Sequence, residues 1–341
     1  MAELGKMLSI LDGERVEIET FEVPEPGPGQ VLIRVNRSQI SAGSEKGRFR
    51  GASAPDPLTP LGYSERPQGY TTAGRIQALG TGVDGFEVGD RVFALATHRS
   101  HVLASPEEKG GDAGMRKAVQ HIEFDVTDEQ ACFSRLGDVA LHSLRRAELQ
   151  ADEAVAIFGQ GVVGQLIAAL ASISGAYPII AVDLDDARLE LSRVSGATHT
   201  VNASTQNAVE AIESITGGGA ECVFHANREA QVLADCVDAA CFGGKVVLVG
   251  ATRGPVEMRL RNLLVREIDI RGSHMVSDVQ HRYWKWTTSR DRNAIMRMIA
   301  SGTLSVDHLI SHVVRPEDAD EAYQRIVAGP RGWMGVFFAW D

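Results

Sequence analysis

The sequence predicts an α/β protein in which a doubly wound parallel sheet is joined to a compact, β-barrel-like domain. Three observations predict it. From about residue 135 onward, short apolar runs alternate with helical stretches, the pattern of a parallel sheet covered on both faces. Before that point, short β runs sit between corners rich in Gly and Pro. At the first strand-to-helix turn of the alternating part stands Gly159-Gln160-Gly161-Val162-Val163-Gly164.

In the first part, GQVLIRVN (29–36) follows the turn-rich Pro24-Glu25-Pro26-Gly27-Pro28-Gly29. GRIQALGTGV (74–83) and VGDRVFALA (88–96) repeat the theme. Residues 41–70 read as a long loop, and loops of that length usually carry function. The second part offers the strands AVAIF (154–158), IIAVD (179–183), THTV (198–201), ECVFH (221–225), KVVLVG (245–250) and EIDIRG (267–272). Helical patterns fall between them at 161–174, 186–195, 205–215 and 229–240. After 275 the chain is charged and aromatic, then helical (292–301), and it closes on the strand-like GVFFAW (335–340). The expected domains are 1–134, 135–276 and a return to the first domain over 277–341.

Composition excludes several classes of function. Lys and Arg number 34 against 45 Asp and Glu, a net charge of −11 that repels a sugar-phosphate backbone, so no nucleic-acid partner is expected. Ala154 to Val182 carries no charge, but its glycines, glutamines and Pro178 make it a buried strand–turn–helix–strand rather than a membrane span. The four cysteines, Cys132, Cys222, Cys236 and Cys241, show no C-x-x-C spacing, which argues against a disulfide framework or a cysteine zinc finger. The opening MAELGKMLSILDGERVEIE is too charged for a signal peptide. The expectation is a reduced, soluble, cytoplasmic protein.

The glycine motif has a task for each member. Gly159 permits a tight turn, Gly161 lets a pyrophosphate approach the backbone, and Gly164 lets helix and strand pack closely. The helix that opens at Val162 would meet the pyrophosphate with free N–H groups and its positive dipole end. Asp183 ends the next strand about 20 residues past Gly164, where an acceptor for the ribose hydroxyls belongs. Its charge would repel a 2′-phosphate, so NAD(H) is preferred, while Arg188 keeps NADP(H) possible.

With these residues the chain resembles the medium-chain dehydrogenase/reductase superfamily over nearly its whole length. The likeness rests on PEPGPGQVLIRV, GRIQALGTGVDGFEVGDRV, AIFGQGVVGQLIAALA, VDLDDARLELSRVSGATHTVN, GGKVVLVG and the GVFF end. The resemblance implies a GroES-like domain, a Rossmann domain, and hydride transfer to or from a small-molecule substrate at a cleft between them. It extends the cofactor set to Leu184, Ala226, Val249, Gly250 and Ser273, and implies a homodimer or homotetramer paired along the EIDIRG edge. Zinc relatives place a Cys, a His and a third ligand where this chain has Ser41, Tyr70 and Ser134. No zinc is therefore expected, and the pattern Ser-x-Gly-Ser-Glu with Gly-Tyr-x-x-x-Gly looks like the zinc-lacking branch, with likeness to the bacteriochlorophyllide dehydrogenase type.

Without zinc, another group must polarise a carbonyl or move a proton. Tyr70 stands at the His ligand position and reads either as a hydrogen-bond donor to the substrate or as a pocket-wall aromatic. Lys46 stands where zinc enzymes often keep a proton-relay His, and its other reading is a surface or phosphate-contacting Lys. Glu45 reads as an orienting carboxylate or as half of a buried ion pair, and Ser41 as the holder of a water. His98-Arg99-Ser100-His101 reads either as the binder of an anionic or polyhydroxyl substrate or as a polar strand end. The run His281-Arg282-Tyr283-Trp284-Lys285-Trp286 reads as a flat-ligand wall, an interface patch or local packing. The leading function is a zinc-independent, NAD(H)-linked alcohol/ketone oxidoreductase. The alternatives are a C=C reductase acting on enones or quinones and a non-catalytic dinucleotide-binding accessory protein.

Overall fold

The computed structural model describes residues 3–11, 15–49, 68–110, 114–250, 252, 254–274, 286–329 and 332–341. The first part contains β1 (Leu4–Leu11), β2 (Arg15–Glu22), β3 (Val31–Gln39), α1 (Ala42–Phe49), β4 (Thr72–Leu79), β5 (Arg91–Ala94), β6 (His101–Ala104), β7 (Glu107–Gly110), β8 (Gly114–Lys117) and β9 (Val119–His121). The helix α2 (Asp128–Ala147) leads out of it. Next come β10 (Val155–Phe158), α3 (Val162–Ile173), β11 (Ile179–Asp183), α4 (Asp186–Val194), β12 (His199–Asn202), α5 (Ala208–Thr216), β13 (Ala220–His225), α6 (Val232–Ala239), β14 (Ala240–Leu248), α7 (Leu260–Val265) and β15 (Asp269–Gly272). The chain ends with α8 (Thr288–Ala300), β16 (Ile310–Val314), α9 (Ala319–Ala328) and β17 (Gly335–Ala339).

Two units result. One comprises 1–135, 276–300 and 310–341; the other comprises 136–275 and 301–309. The second unit thus takes 301–309, a stretch that the sequence pattern had assigned to the return. A buried polar clip holds it there. The Ser195 hydroxyl donates to Gln165 Oε1 at 2.8 Å and lies 2.7 Å from His308 Nε2.

Among the described residues, the sheet of the second unit runs β12-β11-β10-β13-β14-β15, with every neighbouring pair parallel. This is the doubly wound order, with its switch point beside β10. All four residues of β10 are buried, so it reads as a continuous apolar run. Ala156, Phe158, Ile180, Val182, Val223 and Val246 form the core on one face with Ile212 of α5. Helix starts carry their signals: Asp185 caps α4 by accepting the Ala187 N–H at 2.8 Å, and Asn207 caps α5 through Val209 and Glu210.

The sheet of the first unit runs β16-β17-β3-β4-β5-β9, with β6 also on β3. The closing strand β17 pairs antiparallel with β3, setting Phe337 opposite Gln39 and Phe338 opposite Ser38. Phe338 packs with Leu8, Ile10, Ile40, Phe49 and Tyr323, while Val31, Ile33, Val35, Ile76 and Val92 form a second core. One expectation is corrected here. Residues 42–49 are helical, not part of a loop. Gly43 and Gly47 hide the helix from propensity, but its first turn closes on itself. The Ser41 carbonyl accepts the N–H groups of Ser44 and Glu45, each at 2.9 Å, and the Glu45 carboxylate takes the Ser41 N–H at 2.6 Å. Among the described residues, no helix is long and apolar enough to cross a membrane.

Candidate active site

The glycine motif turns directly off β10. Gly159 has φ +103°, and a Cβ there would stand 2.8 Å from the Ala226 carbonyl oxygen. A Cβ on Gly164 would stand 1.9 Å from the Gly159 carbonyl oxygen, so the helix can lie this close only with glycine. A Cβ on Gly161 would meet nothing within 4 Å. The space in front of Gly161, at the N-terminus of α3, is the cradle that an anion needs.

Asp183 stands beside this turn. Its Oδ2 accepts the Gln160 N–H at 2.7 Å, and its Oδ1 accepts Leu184 N–H at 2.8 Å and Asp185 N–H at 3.1 Å. A carboxylate has about four acceptor positions, so one is left. Asp183 therefore also braces the glycine turn. Leu184 is exposed. The Arg188 guanidinium has no ion-pair partner among the described residues, while its carbonyl accepts from Gln165 at 2.9 Å.

Ala226, Val249, Gly250 and Ser273 follow the carboxyl ends of the strands, the edge where open α/β sheets bind ligands. The Ala226 N–H bonds to Phe158 O at 2.9 Å, and the Val249 and Gly250 N–H groups share His225 O at 3.0 Å. Ser273 is buried against Ser143, Oγ to Oγ 2.9 Å. His225, which sequence reasoning passed over, is fully buried at the same edge with Nε2 3.0 Å from Glu229 O. Burial pushes its imidazole below the ordinary range.

In the other unit, the Tyr70 hydroxyl donates to Ser41 Oγ at 2.5 Å. Tyr70 is half-buried, and the Arg135 guanidinium lies 5.4 Å from its ring centroid. Ser134 is fully buried, and its hydroxyl has no hydrogen-bond partner among the described residues. Gln39 is in the same condition, with both amide atoms unpartnered at 1% exposure. That pairing of burial and missing partners was not legible in the sequence. Ser41, Tyr70 and Ser134 are neutral hydroxyls, unlike the thiolate, imidazole and carboxylate donors that zinc takes.

Glu45, Lys46 and His98 complete the candidate set. Lys46 follows Glu45 on α1 and is half-buried. Glu45 and His98 are fully buried and bonded to each other, Oε2 to Nε2 3.1 Å. His98 packs edge-on to Phe338, with ring centroids 5.0 Å apart. His101, the other histidine of this segment, is buried as well. Arg99 is half-buried and donates to Thr97 Oγ1 at 2.9 Å. The aromatic run lies outside the described residues except for Trp286, over whose ring Arg290 stands 4.0 Å from the centroid.

The comparisons fit this architecture. Residues 162–290 match the family model of zinc-binding dehydrogenases, a span that holds the dinucleotide motif's helix but not Ser41, Tyr70 or Ser134. The chain is 28% identical to a sorbitol dehydrogenase of Bacillus subtilis, covering 91% of this chain and 90% of the relative. It is 27% identical to an L-threonine 3-dehydrogenase of Pyrococcus horikoshii, covering 96% and 97%. Among solved structures it shares its fold with the 2R,3R-butanediol dehydrogenase of Bacillus subtilis (TM-score 0.81, 21% identity, 98% and 99% covered). An alcohol dehydrogenase of Escherichia coli complexed with NADH aligns with TM-score 0.82 at 19% identity, covering 98% and 99%. A zinc-binding dehydrogenase of Sinorhizobium meliloti bound to NADP aligns with TM-score 0.79 at 21% identity, covering 99% of each chain. The chain is thus similar to zinc-binding dehydrogenases over residues 162–290, and to sorbitol and threonine dehydrogenases over nearly its whole length.

Proposed function

We propose that the protein is a zinc-independent, NAD(H)-linked oxidoreductase that interconverts an alcohol and a ketone on a polar small molecule. One observation carries the reading. Two of the three positions that hold zinc ligands in the resembled family are hydroxyls bonded to each other, Tyr70 to Ser41 at 2.5 Å. Neutral hydroxyls are poor zinc donors, whereas a hydroxyl pair is a competent hydrogen-bond donor.

The second unit suits a dinucleotide: the open space before Gly161 fits a pyrophosphate, and Asp183 keeps one acceptor position for a ribose hydroxyl. The bound nicotinamide would supply or accept the hydride. The chain's own residues manage the proton. Ser41 accepts from Tyr70, so its own O–H is available to the substrate oxygen. As the carbonyl carbon gains hydride, its oxygen takes the Ser41 proton and Ser41 takes the Tyr70 proton. Lys46 then helps return a proton to Tyr70. Oxidation of the alcohol runs the same transfers backward.

The resemblance to dehydrogenases of sorbitol and threonine suggests substrates with several polar groups. The test is a turnover screen of polyols, hydroxy amino acids, enones and quinones with NADH and NADPH, alongside elemental analysis. Polyol or hydroxy acid turnover with NAD(H), at well below one zinc per chain and indifferent to chelators, is the expected result. Enone reduction with NADPH would overturn it. Self-association belongs to the same proposal. β15 is a sheet edge, and Ile270 on it is exposed. Such an edge is a ready template for a second copy, and light scattering should find at least a dimer.

A further inference from the structure

Behind Ser41 lies a buried polar network that the proton transfers above do not use. Glu45 accepts three hydrogen bonds: the Ser41 N–H at 2.6 Å, the His98 Nε2–H at 3.1 Å, and the Tyr323 hydroxyl. Burial pushes the Glu45 carboxyl up, but the His98 imidazole, the Tyr323 hydroxyl and the Ser41 amide outweigh it and hold it below its usual range. A carboxylate only accepts, so His98 carries a proton on Nε2. His98 Nδ1 lies 2.8 Å from Ser38 Oγ, which accepts the Trp340 indole N–H at 2.9 Å and has its own proton for the ring. Ser38, Glu45, His98 and Tyr323 are all fully buried.

The network touches both ends of the Tyr70–Ser41 bond. On one side, Glu45 fixes the Ser41 amide. On the other, the His98 ring occupies the space where a Cβ on Gly69 would fall, 2.6 Å from Nε2. Gly69 has φ +88° and directly precedes Tyr70. The His98 backbone N–H also donates to Gln68 O at 2.5 Å. His98, through its ring packed on Gly69 and its amide bonded to Gln68, and Glu45, through the Ser41 N–H, therefore brace the backbone before the phenol and the backbone of the serine that receives it.

We propose that Glu45 and His98 are positioning residues that set the Tyr70–Ser41 hydrogen bond, with Tyr323 and Trp340 holding them from the C-terminal part of the chain. They touch no substrate: with all four hydrogen-bonded side chains buried, their work is to fix where the two hydroxyls meet. The consequence for turnover rests on the function proposed above; the geometric claim does not.

The experiment places 3-fluorotyrosine at position 70 and reads its 19F resonance, which reports the phenol's hydrogen bond without any substrate. Ser41→Ala defines the signature of the lost bond. Glu45→Gln should move the resonance in the same direction, because one amide oxygen cannot serve three donors. Tyr323→Phe should move it the same way by less. In the Ser41→Ala background, Glu45→Gln should add only a smaller further shift, the part that reaches Tyr70 through His98 and Gly69. NADH binding by fluorescence titration should stay unchanged, and kcat should fall by ~10²-fold, the scale of a small misplacement. If Glu45→Gln does not fold, Tyr323→Phe decides, as it deletes a single hydroxyl. An unmoved resonance in the folded variants overturns the proposal. A moved resonance with native turnover upholds the positioning and instead refutes Tyr70 as proton donor.

Discussion

The two units build their functional surfaces from different materials. The dinucleotide unit works through backbone: a left-handed turn at Gly159, an open approach at Gly161, a close contact at Gly164 and free N–H groups at the start of α3. The other unit works through side chains. Ser38, Ser41, Glu45, Tyr70, His98, Tyr323 and Trp340 converge from β3, α1, α9 and the segments around them. A backbone device is local and needs glycines at set intervals. A side-chain device needs distant pieces of chain to meet. The first is therefore robust to changes in the rest of the protein, and the second is open to tuning from far away.

The sharpest way to break this comparison is at Tyr70. Tyr70→Phe removes one hydroxyl and leaves the ring beside Arg135. Loss of a positioned acid typically costs 10²–10⁴-fold in rate. Steady-state kinetics should show kcat falling on that scale while NADH binding survives, because the groups proposed to hold the cofactor belong to the other unit. Lys46→Met should shift the pH–rate profile with a smaller loss. Near-native kcat in Tyr70→Phe would reduce the residue to a wall.

The same contrast explains what could be read in advance. The strand–helix alternation predicted the sheet of the second unit, because parallel strands buried on both faces write themselves as apolar runs such as Val155–Phe158. Gly159 and Gly164 were legible because a Cβ on either would strike a backbone oxygen, and Gly161 because an approaching pyrophosphate needs the open space in front of it. Ser41 and Tyr70 were singled out by position, but not their bond. Glu45 and His98 lie 53 residues apart, and Glu45 and Tyr323 278 apart, so no local pattern joins them. The helix over 42–49 was missed for a related reason: a Glu45 side chain caps it from within, against the propensity of its glycines.

The glycines of the second unit allow a finer cut. Gly164→Ala puts a Cβ 1.9 Å from a backbone oxygen, so helix and strand must separate. Overpacking of this kind costs ~1–3 kcal/mol, visible as a lower midpoint in urea. Gly161→Ala has open space and should keep the native midpoint while NADH affinity drops. If both variants behave alike, the space before Gly161 is not a ligand cradle.

Asp183→Ser should have a smaller effect. It removes a charge that opposes a 2′-phosphate and the acceptor of the Gln160 N–H. Calorimetry should show NADH weakened by ~10-fold, about 1.4 kcal/mol, with the gap to NADPH narrowed. Part of the loss should appear as loosening of the turn at Gly159–Gly161, since Asp183 braces it. Tighter NADPH than NADH in the parent protein would refute the assigned preference and turn attention to Arg188.

The smallest effect is a matter of pH, and it compares one carboxylate from each unit. Glu45 is held below its usual range against burial by His98, Tyr323 and the Ser41 amide. Glu153 is likewise held down against burial, by the Gln150 N–H and by Lys245, whose Nζ is 2.9 Å away. A carboxyl with a depressed folded pKa adds stability that is fully present above the unfolded value, about 4.3. That stability is lost as pH falls through the lower folded value. Acid should therefore weaken both units below about pH 4.3, with no change from this source near neutrality. Hydrogen exchange across an acid series separates them. Glu45→Gln should flatten the acid dependence of protection in α1 and β3, and Glu153→Gln that in β10 and β14. The Glu45 effect should be the larger, because Glu153 retains 20% side-chain exposure and its attraction to Lys245 is screened by solvent. Equal flattening, or flattening in the wrong unit, would mean that the two sites share one cooperative unfolding event rather than two local ones.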